Sequence, residues 1–197
     1  MLHENLKHYK IILASKSPRR QFLLRELGID FKIDISQSID EDFPHNLKAE
    51  EIALFLAEEK AKAFEGKLAD NEVVITADTI VWINNHVLNK PQSHNEAISM
   101  LKKLSGNMHQ VLTGVCLFSN FKKKTFFANT NVFFKVLTDS EIEFYLQNFK
   151  PFDKAGSYGI QEWIGYIGIE RIEGSYFNVM GLPVQKLYAE LNQFVTK

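Results

Sequence analysis

Residues 11–20 read Ile-Ile-Leu-Ala-Ser-Lys-Ser-Pro-Arg-Arg. Ile11 to Ala14 is a short apolar run that suits a buried strand. Ser15, Lys16 and Ser17 make a polar turn, and Pro18 opens a helix. Ser17 is a good N-cap, because its hydroxyl can accept from the unpaired amides of the first turn. Pro18 suits the first helical position, where its missing N–H costs nothing. Arg19 and Arg20 then stand at the positive end of the helix dipole, where carboxylates are favoured by about 0.3–1 kcal/mol each. Lys16 adds a third cation. Cations, hydroxyls and helical amides converging on one turn suggest an anion site, most simply for phosphate. A helix start with solvated arginines is the alternative, and the turn alone does not separate the two.

Downstream, Pro18 to Leu27 reads as a helix with Phe22, Leu23 and Leu27 as its apolar stripe and Gly28 as its stop. Phe31 to Ile35 is a strand. A polar loop, Ser36 to Asn46, follows with Asp40, Glu41 and Asp42 in it and Asp34 at its edge. Lys48 to Lys67 is a long helix ended by Gly66, and Glu72 to Ile83 is the most apolar strand, turning at Asn84-Asn85. Ser93 and Glu96 form a capping box for a helix to about Leu104. Val111 to Phe118 and Thr125 to Val136 are strands, the second with Phe126, Ala128, Val132, Phe134 and Val136 in phase on one face. Thr138 and Glu141 cap a helix to about Phe149, with Ile142, Tyr145 and Phe149 inward. Asp153 to Met180 is rich in glycine and aromatics and reads as turns and short strands, in which Trp163, Tyr166 and Tyr176 are expected to pack into the core. Pro183 starts a final helix with Leu187 and Leu191 inward. Interleaved strands and helices make the class α/β with a mixed sheet.

Composition narrows the function. The 197 residues can bury a proper core, and 45% hydrophobic with 24% charged residues is that of a soluble globular chain. A net charge of −1 gives no support to a nucleic-acid binder. The single cysteine, Cys116, excludes an intrachain disulfide and fits a reducing compartment. No apolar run approaches the roughly 20 residues that span a bilayer, and the polar first ten residues are not a secretory signal. The expectation is a cytoplasmic protein with neither a membrane nor a nucleic-acid partner.

Asp78 is the most informative single residue. It sits between Ile75 and Ile80 in an apolar run, where an unpaired carboxylate is costly. It therefore needs a cation, a metal or several donors, or else it ends its strand on turn amides. Lys60 lies in phase with Ala53, Leu56 and Phe64, so its ammonium either snorkels to the rim or enters a cleft. Lys90-Pro91 is a weak signal alone. Asp153 and Gln161 bracket a glycine-containing turn, Asp-Lys-Ala-Gly-Ser-Tyr-Gly-Ile-Gln, where backbone could approach a ligand closely. No P-loop, HExxH or GxGxxG occurs, the six histidines lack metal-ligand spacing, and Cys116 has no evident partner for nucleophilic work. Basic residues, one core carboxylate and an acidic loop suit a metal-assisted phosphoryl or phosphodiester reaction.

These segments, in this order, resemble the Maf family of nucleoside triphosphate pyrophosphatases. The matching elements are Ala14 to Arg20, Glu59-Lys60-Ala61, Ala77-Asp78-Thr79, Lys90-Pro91, Leu104-Ser105-Gly106, His109-Gln110-Val111, Thr113-Gly114, Asp153 to Gln161, Gly174-Ser175-Tyr176 and Gly181-Leu182-Pro183. The resemblance implies a single Maf-like domain over 1–197, with a mixed sheet bent around a deep cleft between two lobes, as in inosine triphosphatase-like folds, often as a homodimer. It implies cleavage of a nucleoside triphosphate between the α and β phosphates with a divalent cation, Mg²⁺ or Mn²⁺. Asp78 is then the proton acceptor for the attacking water or a metal ligand. Arg19, Arg20, Lys60 and Lys90 would bind phosphates with Ser15. Glu41 is the best second metal-site carboxylate, with Asp40 as its alternate. Arg19, Thr79 and Gln161 resemble the subgroup acting on dTTP and UTP, and modified pyrimidine nucleotides fall within the same expectation. A glutamine amide offers donor and acceptor to a pyrimidine's imide edge, whereas the 7-methyl-GTP subgroup typically carries an acceptor-only glutamate there. A 7-methyl-GTP or other modified-nucleotide pyrophosphatase and a nucleotide-sensing septation regulator are the competing readings.

Overall fold

The computed structural model describes residues 1–36 and 42–196. In chain order the helices and strands are α1 (Leu2–Asn5), β1 (Lys10–Leu13), α2 (Pro18–Glu26), β2 (Phe31–Ile33), α3 (Ala49–Lys62), β3 (Glu72–Ile83), β4 (His86–Leu88), α4 (His94–Leu104), β5 (Met108–Phe118), β6 (Lys123–Phe134), α5 (Asp139–Phe149), α6 (Trp163–Gly168), β7 (Ile169–Glu173), α7 (Tyr176–Met180) and α8 (Val184–Val195). The strands form one mixed sheet in the order β2-β1-β3-β5-β6-β7, with β4 paired to β3. β1 runs parallel to both neighbours, Ile11 lying opposite Phe31 and Val73. β4 returns antiparallel on β3, and β7 antiparallel on β6. The class is α/β with a mixed sheet, as the alternation of elements predicts.

The chain folds as two compact units. One comprises Met1–Asp78, Thr113–Ala128 and Gly181–Lys197, as far as these are described, and the other Thr79–Leu112 and Asn129–Met180. The division falls inside β3, between Asp78 and Thr79. In the first unit α3 packs its small residues on the sheet. Ala53, Ala57 and Ala61 are fully buried, and a Cβ on Gly114 would stand 2.1 Å from the Ala53 carbonyl oxygen. Only glycine lets helix and strand backbones approach this closely. Thr76 adds a buried bond from its hydroxyl to the Ala57 carbonyl, at 2.6 Å. The second unit has one continuous core, in which Val81, Leu101, Leu104, Val132, Phe134, Ile142, Tyr145 and Ile164 all take part.

Several elements differ from the sequence expectation. The helix expected over 48–67 ends at Lys62, because residues 64, 65 and 67 bond three positions back, a tighter turn that drops Phe64 into a cluster with Ile12, Leu68 and Val74. β2 stops at Ile33, since the Asp34 carboxylate accepts from the Ser36 amide and hydroxyl at 2.9 and 2.6 Å and turns the chain. α2 buries Leu23 and Leu24, while Phe22 is exposed. β5 begins at Met108, three residues early, and β6 covers Lys123–Phe134. The alternation holds to Phe134, where β6 ends, and beyond it Leu137 is buried while Val136 is exposed.

Both capping boxes start helices, but only one is reciprocal. Thr138 and Glu141 exchange both bonds, at 3.2 and 2.8 Å. Ser93 accepts from the Glu96 amide at 3.2 Å, whereas Glu96 reaches back to the Gln92 amide. Phe149 stacks on Tyr145 yet stays partly exposed. The stretch 153–180 holds two short helices, α6 and α7, besides β7. Tyr166 and Tyr176 are exposed, and Trp163 alone of the three aromatics packs against the core, beside Phe144.

Candidate functional site

The turn after β1 is built as its sequence requires. The Ser17 hydroxyl accepts from the Arg20 amide at 3.4 Å with Pro18 in the first helical position. Ser15, buried, accepts from the Ser17 amide at 3.2 Å, and its carbonyl takes the Gln21 side chain at 3.1 Å. Arg20 turns back across this structure. Its Nε donates to the Gly181 carbonyl at 2.8 Å and its Nη1 reaches Ser15 Oγ at 3.5 Å. That guanidinium therefore ties the turn to the segment leading into α8. Lys16 is exposed and Arg19 half-buried.

Lys60 and Asp78 meet in the same unit. Asp78 is buried, 8% exposed, in the middle of the apolar strand β3, and the Lys60 ammonium bonds and ion-pairs with its Oδ1. The small-residue packing of α3 on Gly114 and Thr76 sets this reach, because Lys60 directly precedes the fully buried Ala61. The carboxylate thus has the cation its burial demands. The lysine that could have snorkelled to the rim is turned inward.

In the second unit, the segments bearing Thr79, Lys90 and Gln161 are tied together. The Gly156 amide donates to the Asn89 carbonyl at 3.2 Å, which holds the segment of exposed Lys90 against the turn of 153–161. Gly156, at φ +67°, leaves room for Val81, whose side chain a Cβ would meet at 3.2 Å. Val81 follows Thr79 by two residues in β3. Gln161 is half-buried, and its amide oxygen is buried without a hydrogen-bond partner.

Other polar residues here were not singled out in the sequence. Lys154 is buried and bonds Asp153 at 2.7 Å and Glu162 at 3.0 Å. Tyr145 donates to the other Glu162 oxygen and accepts from the Gly159 amide at 3.0 Å. Burial, then the Glu162 carboxylate, push the Tyr145 hydroxyl far up. His109 Nε2 lies 2.7 Å from the Tyr158 hydroxyl, and burial pushes the imidazole down to about 3. Lys154, Glu162 and Tyr145 stand eight to seventeen residues apart, so no local spacing marks them. Cys116 is buried and its thiol is pushed up to about 12 by burial, which accords with its exclusion as a nucleophile.

Glu41 and Asp40 lie outside the described residues. Among the described residues no group of three or more His, Cys, Asp or Glu side chains is arranged to hold a metal ion. The buried Asp78 carboxylate fits a hard cation that arrives on substrate phosphates and needs one or two protein carboxylates, the usual manner of Mg²⁺. No helix among the described residues is long and apolar enough to cross a membrane.

The α/β architecture with a mixed sheet is the class the sequence resemblance implies. Residues 10–194 match the family model described as Maf-like protein, and the chain belongs to the Maf family. It is 54% identical to the dTTP/UTP pyrophosphatase of Parabacteroides distasonis over 191 residues, 97% of this chain and 99% of that protein. It is 55% identical to the dTTP/UTP pyrophosphatase of Phocaeicola vulgatus, over 96% of this chain and 98% of that one. Among solved structures, a HAM1 protein from Coxiella burnetii superposes in part, with a TM-score of 0.44 and 18% identity over 64% of this chain and 73% of that one.

Proposed function

We propose that this chain is a nucleoside triphosphate pyrophosphatase that hydrolyses dTTP and UTP to the nucleoside monophosphate and pyrophosphate. The observation that carries the reaction is the Asp78 carboxylate, buried and held by Lys60. The whole-length relatives named dTTP/UTP pyrophosphatase support the substrate.

In this reading Asp78 accepts the proton of a water that attacks the α-phosphorus, and the bond to the bridging oxygen breaks to release pyrophosphate. Phosphoryl transfer asks the protein chiefly for positioning and charge neutralisation. Lys60, engaged on Oδ1, holds the carboxylate in place and offers its charge to the incoming phosphates. Arg19 binds phosphate with the amides of the α2 turn, and Lys90 is a further phosphate ligand. Arg20 and Ser15 shape that turn through the bonds to Gly181 and to each other. A divalent cation bound with the nucleotide, on Asp78 and Glu41, would supply further neutralisation of the phosphates. Thr79 and Gln161 contact the base. A buried glutamine oxygen lacking a donor suits the N3–H of uracil or thymine, and an amide held in that register sets its oxygen against the N3 lone pair of cytosine. The same reading takes 1–197 as one domain, working as a homodimer in the cytoplasm.

The test is pyrophosphate release from dTTP, UTP, CTP, GTP and 7-methyl-GTP with Mg²⁺ or Mn²⁺, for wild type and Asp78→Asn. Release from dTTP and UTP that is lost in Asp78→Asn is the expected result. Silence across the panel in wild type, or turnover confined to 7-methyl-GTP, overturns the proposal.

A further inference from the structure

Gln161 is followed directly by an acid, Glu162, and the two side chains have opposite fates. The Gln161 oxygen is buried and unbonded. Both oxygens of Glu162 are consumed, Oε1 by Lys154 at 3.0 Å and Oε2 by the Tyr145 hydroxyl. Lys154 is itself 8% exposed and holds Asp153 at the start of the same loop, at 2.7 Å. Tyr145 is fully buried in α5 and takes the Gly159 amide at 3.0 Å. A Cβ on Gly159 would come within 2.8 Å of the Glu162 carboxylate carbon, so the loop is bent tightly over this acid. The two ends of 153–162 are thus fastened to one another and to a core helix by groups the reaction does not use.

We propose that Lys154, Glu162 and Tyr145 form a positioning clasp that sets the substrate preference of the site. It withholds the carboxylate of Glu162 and leaves the amide of Gln161 to read a pyrimidine with a protonated ring nitrogen. The inference rests on the reading of Gln161 as a base contact. Its physical content is competition between two neighbouring acceptors. A carboxylate accepts only, whereas an amide both accepts and donates. Sites that hold a buried polar group for one substrate reject the analogue that leaves it unpaired. That rejection requires the amide to be held still. With Lys154 removed, Glu162 loses its counter-ion, swings toward water, and takes the adjoining Gln161 and Gly159 with it.

The experiment compares kcat/KM for UTP and CTP in wild type, Tyr145→Phe, Lys154→Met and the double variant Lys154→Met/Glu162→Gln. Ile142→Val, in the same helix and core as Tyr145, serves as a destabilised control. Lys154→Met is expected to lower the UTP-to-CTP ratio at least tenfold, through a raised KM for UTP with kcat little changed. Tyr145→Phe should lower the ratio about threefold, in line with a single lost hydrogen bond. The double variant returns the cluster to its wild-type net charge, Asp153 remaining, and should recover part of the preference. Ile142→Val should lose thermal stability and keep the ratio.

A ratio within twofold of wild type in Tyr145→Phe and the double variant, both folded, overturns the clasp whether or not Lys154→Met folds. A fall of the same size in Ile142→Val also overturns it, since any loosening of the core would then suffice. If wild type does not prefer UTP, or Gln161→Ala leaves the preference intact, the base-contact reading fails and the clasp with it. A wild type and Gln161→Ala that behave as expected, beside unchanged clasp variants, locate the failure in the clasp alone.

Discussion

The basic turn with its ion-paired carboxylate and the loop of 153–162 hold similar charged groups in opposite ways. In the turn of Ser15 to Arg20, the acceptors of the Arg20 guanidinium include two neutral oxygens, Gly181 O and Ser15 Oγ. Lys60 and Asp78 form an ion pair in the same unit. In the 153–162 loop the buried Lys154 lies between two carboxylates, the exposed Asp153 and the half-buried Glu162. The first arrangement suits a polyanionic ligand and the second a neutral heterocycle. On the proposed reading, neutral oxygens help hold a cation on the phosphate side and carboxylates hold one beside the base contact.

The comparison breaks most visibly at Asp78. Asp78→Asn removes the proton acceptor while keeping the shape, so kcat should fall about 10²–10⁴-fold, the range of general-base catalysis. Steady-state pyrophosphate release measures it, and an unchanged kcat would remove Asp78 from the chemistry. Lys60→Met comes next. It leaves the buried carboxylate without its cation, and unfolding free energy should drop by about 3 kcal/mol, the lower end for a broken buried pair because the Lys60 side chain keeps 19% exposure. Urea titration at pH 7 reads it, and the double variant with Asp78→Asn should recover much of the loss.

The loop side sharpens the contrast through His109, which carries no charge when folded. Its imidazole is pushed down from 6.5 to about 3 by burial. Below pH 6.5 the unfolded chain binds a proton that the native ring refuses, so stability is complete above that value and falls as pH drops toward 3. The slope is about 1.4 kcal/mol per pH unit. Urea midpoints between pH 6.5 and 5, above the ordinary carboxylate range, should show this slope in wild type and lose it in His109→Gln. An unchanged slope in the variant would assign it to other groups.

Much of this was legible in the sequence because it is local. The Ser17-Pro18 helix start, the Thr138/Glu141 box and the apolar strand around Asp78 follow from neighbours within four residues. The pairing of Lys60 with Asp78 was half legible, since helical phase put Lys60 on a buried face but could not choose its partner across 18 residues of chain. Phe22 misled because Leu23 and Leu24 together form the buried face of α2, which turns position 22 outward. The 153–180 stretch hid its helices because glycines there serve close packing. A Cβ on Gly165 would overlap the Ile160 carbonyl at 1.9 Å, and such tertiary reasons leave no helical signature. Lys154 escaped notice because a lysine reads as surface until its two carboxylates are placed around it.

The smallest effect is expected at Ser157, where the loop gives up stability. Ser157 is fully buried, its backbone is left-handed at φ +59°, and its hydroxyl has no partner. A left-handed non-glycine residue costs roughly 1–2 kcal/mol, and an unsatisfied buried hydroxyl about 1–3 kcal/mol. Against these stand the greater unfolded-state entropy of glycine, about 0.5–1 kcal/mol, and the packing of one Cβ. Ser157→Gly should therefore raise stability by about 1 kcal/mol, seen as a higher urea midpoint with an unchanged slope. KM for UTP should stay constant if the hydroxyl only carries strain. A rise in KM alongside the gain in stability would instead make the hydroxyl a ligand to the nucleotide, and the loop would then resemble the phosphate side in holding a polar group open for its substrate.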